Sequence, residues 1–358
     1  MSSLQNSSEQ SSILKHFFCY CFWLDIGETY MKRRKFLTLA ASVASCAATS
    51  RIAAALPPAI PIIDTHIHLF DPGRPGGVPW PAKTDTALYK AALPDRYASL
   101  ARPFGVVGAI VIEASPLASD NDWVLRQAAN HPIIVGMVGD LIPGTPGYQK
   151  DLDRLHANPL FLGMRYGNLW DRDLAVDAQK PEFLPGLKML AERGLVLDSA
   201  NPDLKLIRAI AGVADHVPEL RIVIDHLPTA RVPSEAPARD EYWSLLRELA
   251  QNKNVFVKLS EVIAARIEES GGPTFAQERL DALWDIFGED HVLYASDWPN
   301  SDHHATYPET ISIVRSYVEA RGRISSEKFF WKNSVAAYRW HPREAGQPGE
   351  KGNFTQAF

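Results

Sequence analysis

Eight short apolar runs, rich in β-branched residues and separated by amphipathic stretches, constrain this chain more than any other feature of it. They are Ile62 to His66, Val107 to Glu113, Ile133 to Asp140, Phe161 to Arg165, Gly194 to Asp198, Arg221 to His226, Val255 to Ser260 and Val292 to Asp297. After the first, their last residues fall 25 to 37 positions apart. One strand with its returning helix takes roughly 30 residues, so the spacing predicts consecutive βα units. Eight of them make an α/β chain of the (β/α)8, TIM-type barrel class, with a doubly wound sheet as the runner-up.

Helix signals fall between the runs. Ser119-Asp120-Asn121 can cap a helix over Trp123 to Ala129, and Glu182 to Arg193 stops at Gly194. Further helices are expected over Asp203 to Ala214, Asp240 to Gln251, Ala276 to Phe287 and Pro308 to Arg321. This reading gives a single domain over 57–340, followed by a Gly-, Pro- and charge-rich tail, 341–358, expected to be loose.

The first 56 residues read as an address. Met31 to Ala55 runs through Lys32-Arg33-Arg34-Lys35, a small-residue apolar stretch and Ala53-Ala54-Ala55, an order that resembles a twin-arginine export signal. Cleavage is expected after Ala55, leaving an exported, periplasmic protein, and the apolar stretch is too short for a transmembrane span. Residues 1–30 lack these parts and read as an extension before a true start at Met31. A rival reading takes Val43-Ala44-Ser45-Cys46 as a lipoprotein box that would anchor the chain through Cys46.

Composition then removes several classes of function. With 37 basic against 42 acidic residues, the net charge of −5 gives no cationic face for a phosphate backbone, so nucleic acid is not an expected partner. All three cysteines, Cys19, Cys21 and Cys46, precede the first strand. The body therefore has no disulfide, thiolate metal site or cysteine nucleophile. What remains is a small-molecule site at the barrel's C-terminal mouth, where loops after the strands build active sites.

Side chains alternate along a strand, so period two groups His66 and His68 with Ile62 and Asp64, and Glu113 and Ser115 with Val111. It groups Arg165 with Gly163 and Phe161, Asp198 with Val196, His226 with Ile224, Lys258 with Ser260, and Asp297 with Ala295 and Leu293. A single polar strand end is ordinarily a cap. Seven converging on one mouth cost desolvation that chemistry explains better.

The sharpest motif is Asp64-Thr65-His66-Ile67-His68, since His-x-His sets two imidazoles on one strand face. Joined to Asp225-His226-Leu227-Pro228 and Ser296-Asp297-Trp298-Pro299, it resembles the amidohydrolase superfamily, in the amidohydrolase-related branch of L-fuconolactonase-like and 2-pyrone-4,6-dicarboxylate lactonase-like enzymes. Phe70-Asp71-Pro72, Pro79-Trp80-Pro81, Val111 to Ser115, Leu162 to Tyr166, Val257 to Ser260 and Phe330 to Asn333 extend the likeness over roughly 61–339. The resemblance implies an inner shell of His66, His68, His226 and Asp297, with Arg165 holding substrate. Glu261 departs from the pattern, since many relatives carry Gly after the Leu-Ser pair.

These residues support base-assisted hydrolysis. Asp297 is the expected general base, while His226 and Arg165 polarise a carbonyl. Alternatively, His66, His68, His226 and Asp297 hold one divalent ion, zinc or manganese. Both routes, with a metal and without, stay open. Arg165 stands where other amidohydrolases carry a modified bridging lysine, so a two-metal site is not expected. Glu113, Lys258, Asp198 and Trp80 are candidate substrate-binding residues, Trp80 as a cover over a sugar-like ring. His303 and His304 are expected at the surface. The function so read is opening of a lactone of a sugar acid or related carboxylate. A mononuclear metal-dependent decarboxylase and a catalytically silent ligand-binding barrel are the alternatives.

Overall fold

The computed structural model describes residues 59–264 and 272–349; the export-signal and Cys46 readings fall outside them. Eight strands form one parallel sheet in sequence order: β1 (Ile62–Ile67), β2 (Val106–Ile112), β3 (Ile134–Gly139), β4 (Phe161–Arg165), β5 (Val196–Ser199), β6 (Arg221–Ile224), β7 (Val255–Leu259) and β8 (Val292–Tyr294). The ends meet just past β8. There Ile67 bridges Trp298, His68 N–H donates to the Trp298 carbonyl at 2.8 Å, and Asp297 N–H donates to the His66 carbonyl at 2.9 Å. The expected barrel is therefore present.

Strands covered on both faces are apolar almost throughout, and two separate cores result. An inner one takes side chains from every strand, among them Ile63, Ile110, Leu162, Val196, Phe256 and Leu293, and among the described residues none from the surrounding helices except those at the C-terminal end. A larger outer core joins the other strand face to the helices. Among the described residues no helix is long and apolar enough to cross a membrane.

Simple alternation misplaces several side chains. Ile62 belongs to the outer core and Ile63 to the inner one, yet His66 and His68 both reach the barrel interior. The cause is a slip in the β1–β2 register, with Asp64 opposite Ala109 but Ile67 opposite Val111, which inserts one residue and reverses the alternation. Asp64 consequently turns outward. It accepts hydrogen bonds from the Tyr97 hydroxyl at 2.8 Å, the Tyr307 hydroxyl at 3.3 Å and the Ser296 N–H at 2.9 Å, tying β1 to two helices and to the end of β8. A similar slip in β4 puts Phe161 outside and Leu162 inside. On β2 and β6 the residues expected to face inward, Val111 and Ile224, pack outside, while Ile112 and Val223 face in.

The C-terminal segment also differs from expectation over 341–349. Tyr338 and Trp340 enter the inner core from below. Arg343 donates to the carbonyls of Ala128 at 2.7 Å and Ile134 at 2.6 Å, and Gln347 donates to those of Val107 and Pro132, both at 2.9 Å. Backbone acceptors left open where strands begin need partners, and these side chains supply them. The segment is an ordered floor rather than a loose tail.

Candidate active site

Above the apolar floor the barrel interior turns ionic. Lys258, fully buried on β7, lies 2.6 Å from Asp198 Oδ2 and 2.9 Å from Asp225 Oδ1. Arg165 reaches Asp225 Oδ2 at 3.2 Å, and the Tyr338 hydroxyl donates to Asp198 at 3.0 Å. Two cations thus face two carboxylates. Burial pushes the Asp198 carboxyl up to about 6 despite Lys258, whereas at Asp225 the burial penalty is outweighed by Lys258, His66 and Arg165, which hold it well below the usual range. Lys258 and Asp198 do not line the open cavity, so the substrate-binding role expected of them does not match their place. They form the platform beneath it.

On this platform stand the imidazoles. His66 Nδ1 lies 3.5 Å from Asp225 Oδ1, His68 Nδ1 donates to the Ile112 carbonyl at 3.0 Å, and His226 Nδ1 pairs with the Ser260 hydroxyl at 2.8 Å. Each ring is oriented through Nδ1, which frees Nε2 for the mouth. Burial and the Lys258 ammonium hold His66 well below its ordinary value, keeping it neutral.

Asp297 completes the group. Its Oδ1 lies 3.4 Å from His66 Nε2 and 3.2 Å from His68 Nε2, and those nitrogens are 3.2 Å apart. Two imidazoles and a carboxylate with their ligand atoms this close would suit one divalent ion such as zinc. Oδ1 is buried and has no hydrogen-bond donor of its own, as a metal ligand would. Burial opposes ionisation of Asp297, but His226 and the His-x-His pair hold its carboxyl well below the usual range.

His226 does not join this set directly. Among the described residues, three groups have ligand atoms all within 4.8 Å of one another: His66, His68 and Asp297; His66, Asp225 and His226; and His226, Glu261 and Asp297. The single four-residue shell expected from sequence is therefore divided, with Asp225 and Glu261 as added members. Asn300 Nδ2 bridges the two carboxylates, donating to Asp297 Oδ2 at 2.8 Å and to Glu261 Oε1 at 3.1 Å. Thr229 donates to Glu261 Oε2 at 2.7 Å. Burial pushes Glu261 to about 7, with His226 pulling it down and Asp297 pushing it up.

His226, Glu261 and Asp297, which follow β6, β7 and β8, have φ of 52°, 54° and 58°. Left-handed backbone costs a non-glycine residue roughly 1–3 kcal/mol, and here it swings three strand-end side chains into the mouth. It is also the conformation that glycine accepts freely.

The cavity over these groups has a volume of about 590 Å³, within the range of small-molecule sites. Of the expected residues, His68, Trp80, Glu113, Arg165, His226 and Asp297 line it. The half-buried Trp80 meets His68 edge to face, with ring centroids 5.5 Å apart, and Trp170 also lines the cavity. Asn168, Asn201, Thr229 and Arg231 add polar groups that sequence reasoning did not single out. His303 lies outside it, held by Asp85 at 2.9 Å.

Glu113 lines the wall with Arg172 at 3.1 Å, and Arg172 also holds Asp140 at 2.6 Å. Burial pushes Glu113 to about 8 and Asp140 to about 6 in spite of that guanidinium. A carboxyl whose folded pKa is raised favours folding while protonated, and that contribution is lost as pH rises from about 4.5 through about 8. Glu113→Gln, which mimics the acid, should melt close to wild type at pH 5 and several degrees above it at pH 9, at about 2–4 °C per kcal/mol. Equal melting temperatures at both pH values would show that Glu113 ionises without penalty.

A family model described as Amidohydrolase matches residues 63–340, the whole barrel with its inner shell. The chain belongs to the amidohydrolase family. This amidohydrolase is 29% identical over 246 residues to L-fucono-1,5-lactonase of Burkholderia ambifaria, covering 67% of this chain and 80% of that one. It is 24% identical over 281 residues to L-fucono-1,5-lactonase of Burkholderia multivorans, covering 76% and 94%. A crystal structure of an amidohydrolase from Burkholderia multivorans with bound zinc superimposes with a TM-score of 0.69 at 21% identity, covering 78% of this chain and 99% of that one.

Proposed function

We propose that this amidohydrolase opens the lactone ring of a sugar acid or related carboxylate by base-assisted attack of water. The observation that carries the reading is the buried Asp297 Oδ1, without a donor, set against two oriented imidazoles at the floor of a polar cavity. The fuconolactonases it resembles support the substrate class. So does the wall, where indole faces suit the C–H face of a sugar ring and amide and hydroxyl groups suit its oxygens.

Arg165 and His226 face the cavity and donate toward the scissile carbonyl, His226 through Nε2 while Ser260 donates to its Nδ1, stabilising the charge that gathers on the carbonyl oxygen. Asp297 takes a proton from the attacking water as the C–O bond forms. The ring C–O bond then breaks, and the same proton goes to the departing alkoxide. The donor set fits zinc or manganese, which His66, His68 and Asp297 would hold and which would supply Lewis-acid polarisation of the carbonyl. The ionic platform keeps His66 neutral and oriented.

A panel of sugar-acid lactones followed with a pH indicator tests the reading. Proton release with at least one member is expected. No release from any lactone, together with loss of CO2 from an aromatic acid, would move the protein to the decarboxylase class.

A further inference from the structure

Neither carboxyl oxygen of Glu113 accepts a hydrogen bond, although both are buried and the residue lines the cavity. The charged groups around it are engaged elsewhere. Arg172, from the loop after β4, donates to Asp140 Oδ1 at 2.6 Å and only approaches Glu113 Oε1, at 3.1 Å. Arg165 on β4 turns one guanidinium nitrogen to the backbone carbonyl of Glu113 at 3.1 Å and another to Asp225 at 3.2 Å. Asp120, in the helix after β2, is paired with Arg74 at 2.7 Å, and His68 on β1 gives its Nδ1 to the Ile112 carbonyl. Glu113 and Asp140 therefore share one cation, Arg172, and the carboxyl without a hydrogen bond from it is the one that keeps a proton. Burial acts in the same direction, pushing Glu113 to about 8.

We propose that Glu113, in its acid form, donates a hydrogen bond to a hydroxyl on the carbon next to the lactone carbonyl, so that the site selects 2-hydroxy lactones, the class that aldonic acids form, over lactones bare at that carbon. Position assigns the hydroxyl. Arg165, which polarises the carbonyl in the reaction described above, is held by the main chain of Glu113, so the Glu113 side chain stands beside whatever that guanidinium binds. In a sugar lactone the substituent adjacent to the carbonyl is the 2-hydroxyl. A carboxylic acid offers it both an O–H donor and a carbonyl acceptor, whereas a carboxylate offers acceptors only. A lactone bare at this carbon leaves the buried acid unpaired, which is how a polar site rejects an analogue. The inference rests on the lactone-opening reading and names the substrate feature that is selected.

Two measurements test it. In protein carrying carbon-13 at the glutamate carboxyls, one resonance should titrate near pH 8 and be missing from Glu113→Gln. On the aldonolactone that the panel identifies and its 2-deoxy counterpart, wild type at pH 7 should favour the hydroxylated lactone in kcat/KM by about tenfold or more, and Glu113→Ala should lose that preference. Corrected for uncatalysed opening, kcat/KM on the hydroxylated lactone should fall in wild type as pH rises through about 8 and hold in Glu113→Gln, which keeps a donor at every pH. A residue that only supported the fold would alter neither the preference nor the pH profile. A Glu113 resonance already ionised at pH 7 would overturn the proposal without reference to any lactone, and so would decide even if Glu113→Ala failed to fold. Equal kcat/KM for the two lactones in wild type, or an undiminished preference in folded Glu113→Ala, would overturn it and leave lactone opening standing. Hydrolysis of no lactone would sink both the reading and the proposal.

Discussion

Asp297→Asn is expected to lower turnover on a hydrolysed lactone by roughly 10² or more, the scale of losing a general base. The substitution preserves shape, and Asn tolerates the left-handed backbone at this position, where φ is 58°. It removes the proton acceptor and the anion that faces His66 and His68. Because the folded carboxyl is held well below its ordinary value, its ionised form contributes stability above the unfolded pKa, and that contribution disappears as pH falls through the folded value. The variant should therefore melt somewhat below wild type at pH 7 and approach it in acid. Substrate affinity should move less than rate, which separates a chemical from a binding defect. Near-wild-type turnover with the fold intact by circular dichroism would exclude Asp297 as the base and direct attention to Glu113.

Lys258→Met is expected to destabilise the protein by about 3–5 kcal/mol, since it strips one cation from a buried set of two cations and two carboxylates. Asp225 would keep Arg165, but Asp198 would keep only the Tyr338 hydroxyl. Asp198 is fully buried, so its charge would have no water to fall back on. The deficit should shrink as pH is lowered, because Lys258 is what holds the Asp198 carboxyl down to about 6, and without it protonation removes the stranded charge at a higher pH. Removing both partners, as Lys258→Met with Asp198→Asn, should recover a large part of the loss, as expected for residues in one network. Chemical denaturation of wild type, Lys258→Met, Asp198→Asn and the double variant measures this. A loss below about 1 kcal/mol for Lys258→Met would show that the platform does not depend on its lysine.

The barrel was legible because eight both-face-buried strands leave an apolar, β-branched signature with a repeating interval. The His-x-His strand and Asp297 were legible for the same reason, as polar ends to apolar runs. Alternation failed where the backbone departs from it. The register slip in β1 turned Asp64 outward, and the left-handed residues after β6 and β7 brought His226 and Glu261 into the mouth. Asp225 is the plainest omission: it follows Val223 on the inner face and joins Lys258, Arg165 and His66. Its neighbour His226 drew the attention because metal chemistry is easier to read in an imidazole. Arg172 carried no local signal, since it lies in a loop and its meaning comes from Glu113 and Asp140, which follow β2 and β3.

The floor under the barrel has a consequence for the order in which the molecule can be completed. Tyr338, Trp340, Arg343 and Gln347 all come after the eighth strand, yet they reach Asp198 on β5, the first residues of β2 and β3, and the inner core. A ribosome adds roughly 5–20 residues per second and emits the chain from its N-terminal end. A nascent chain that has just released β8 therefore holds every strand while its ionic interior remains open to water from beneath. Sealing waits for the closing stretch of translation, so a stop codon a few residues beyond Lys332 would spare every strand and every mouth residue and still leave the barrel unfinished.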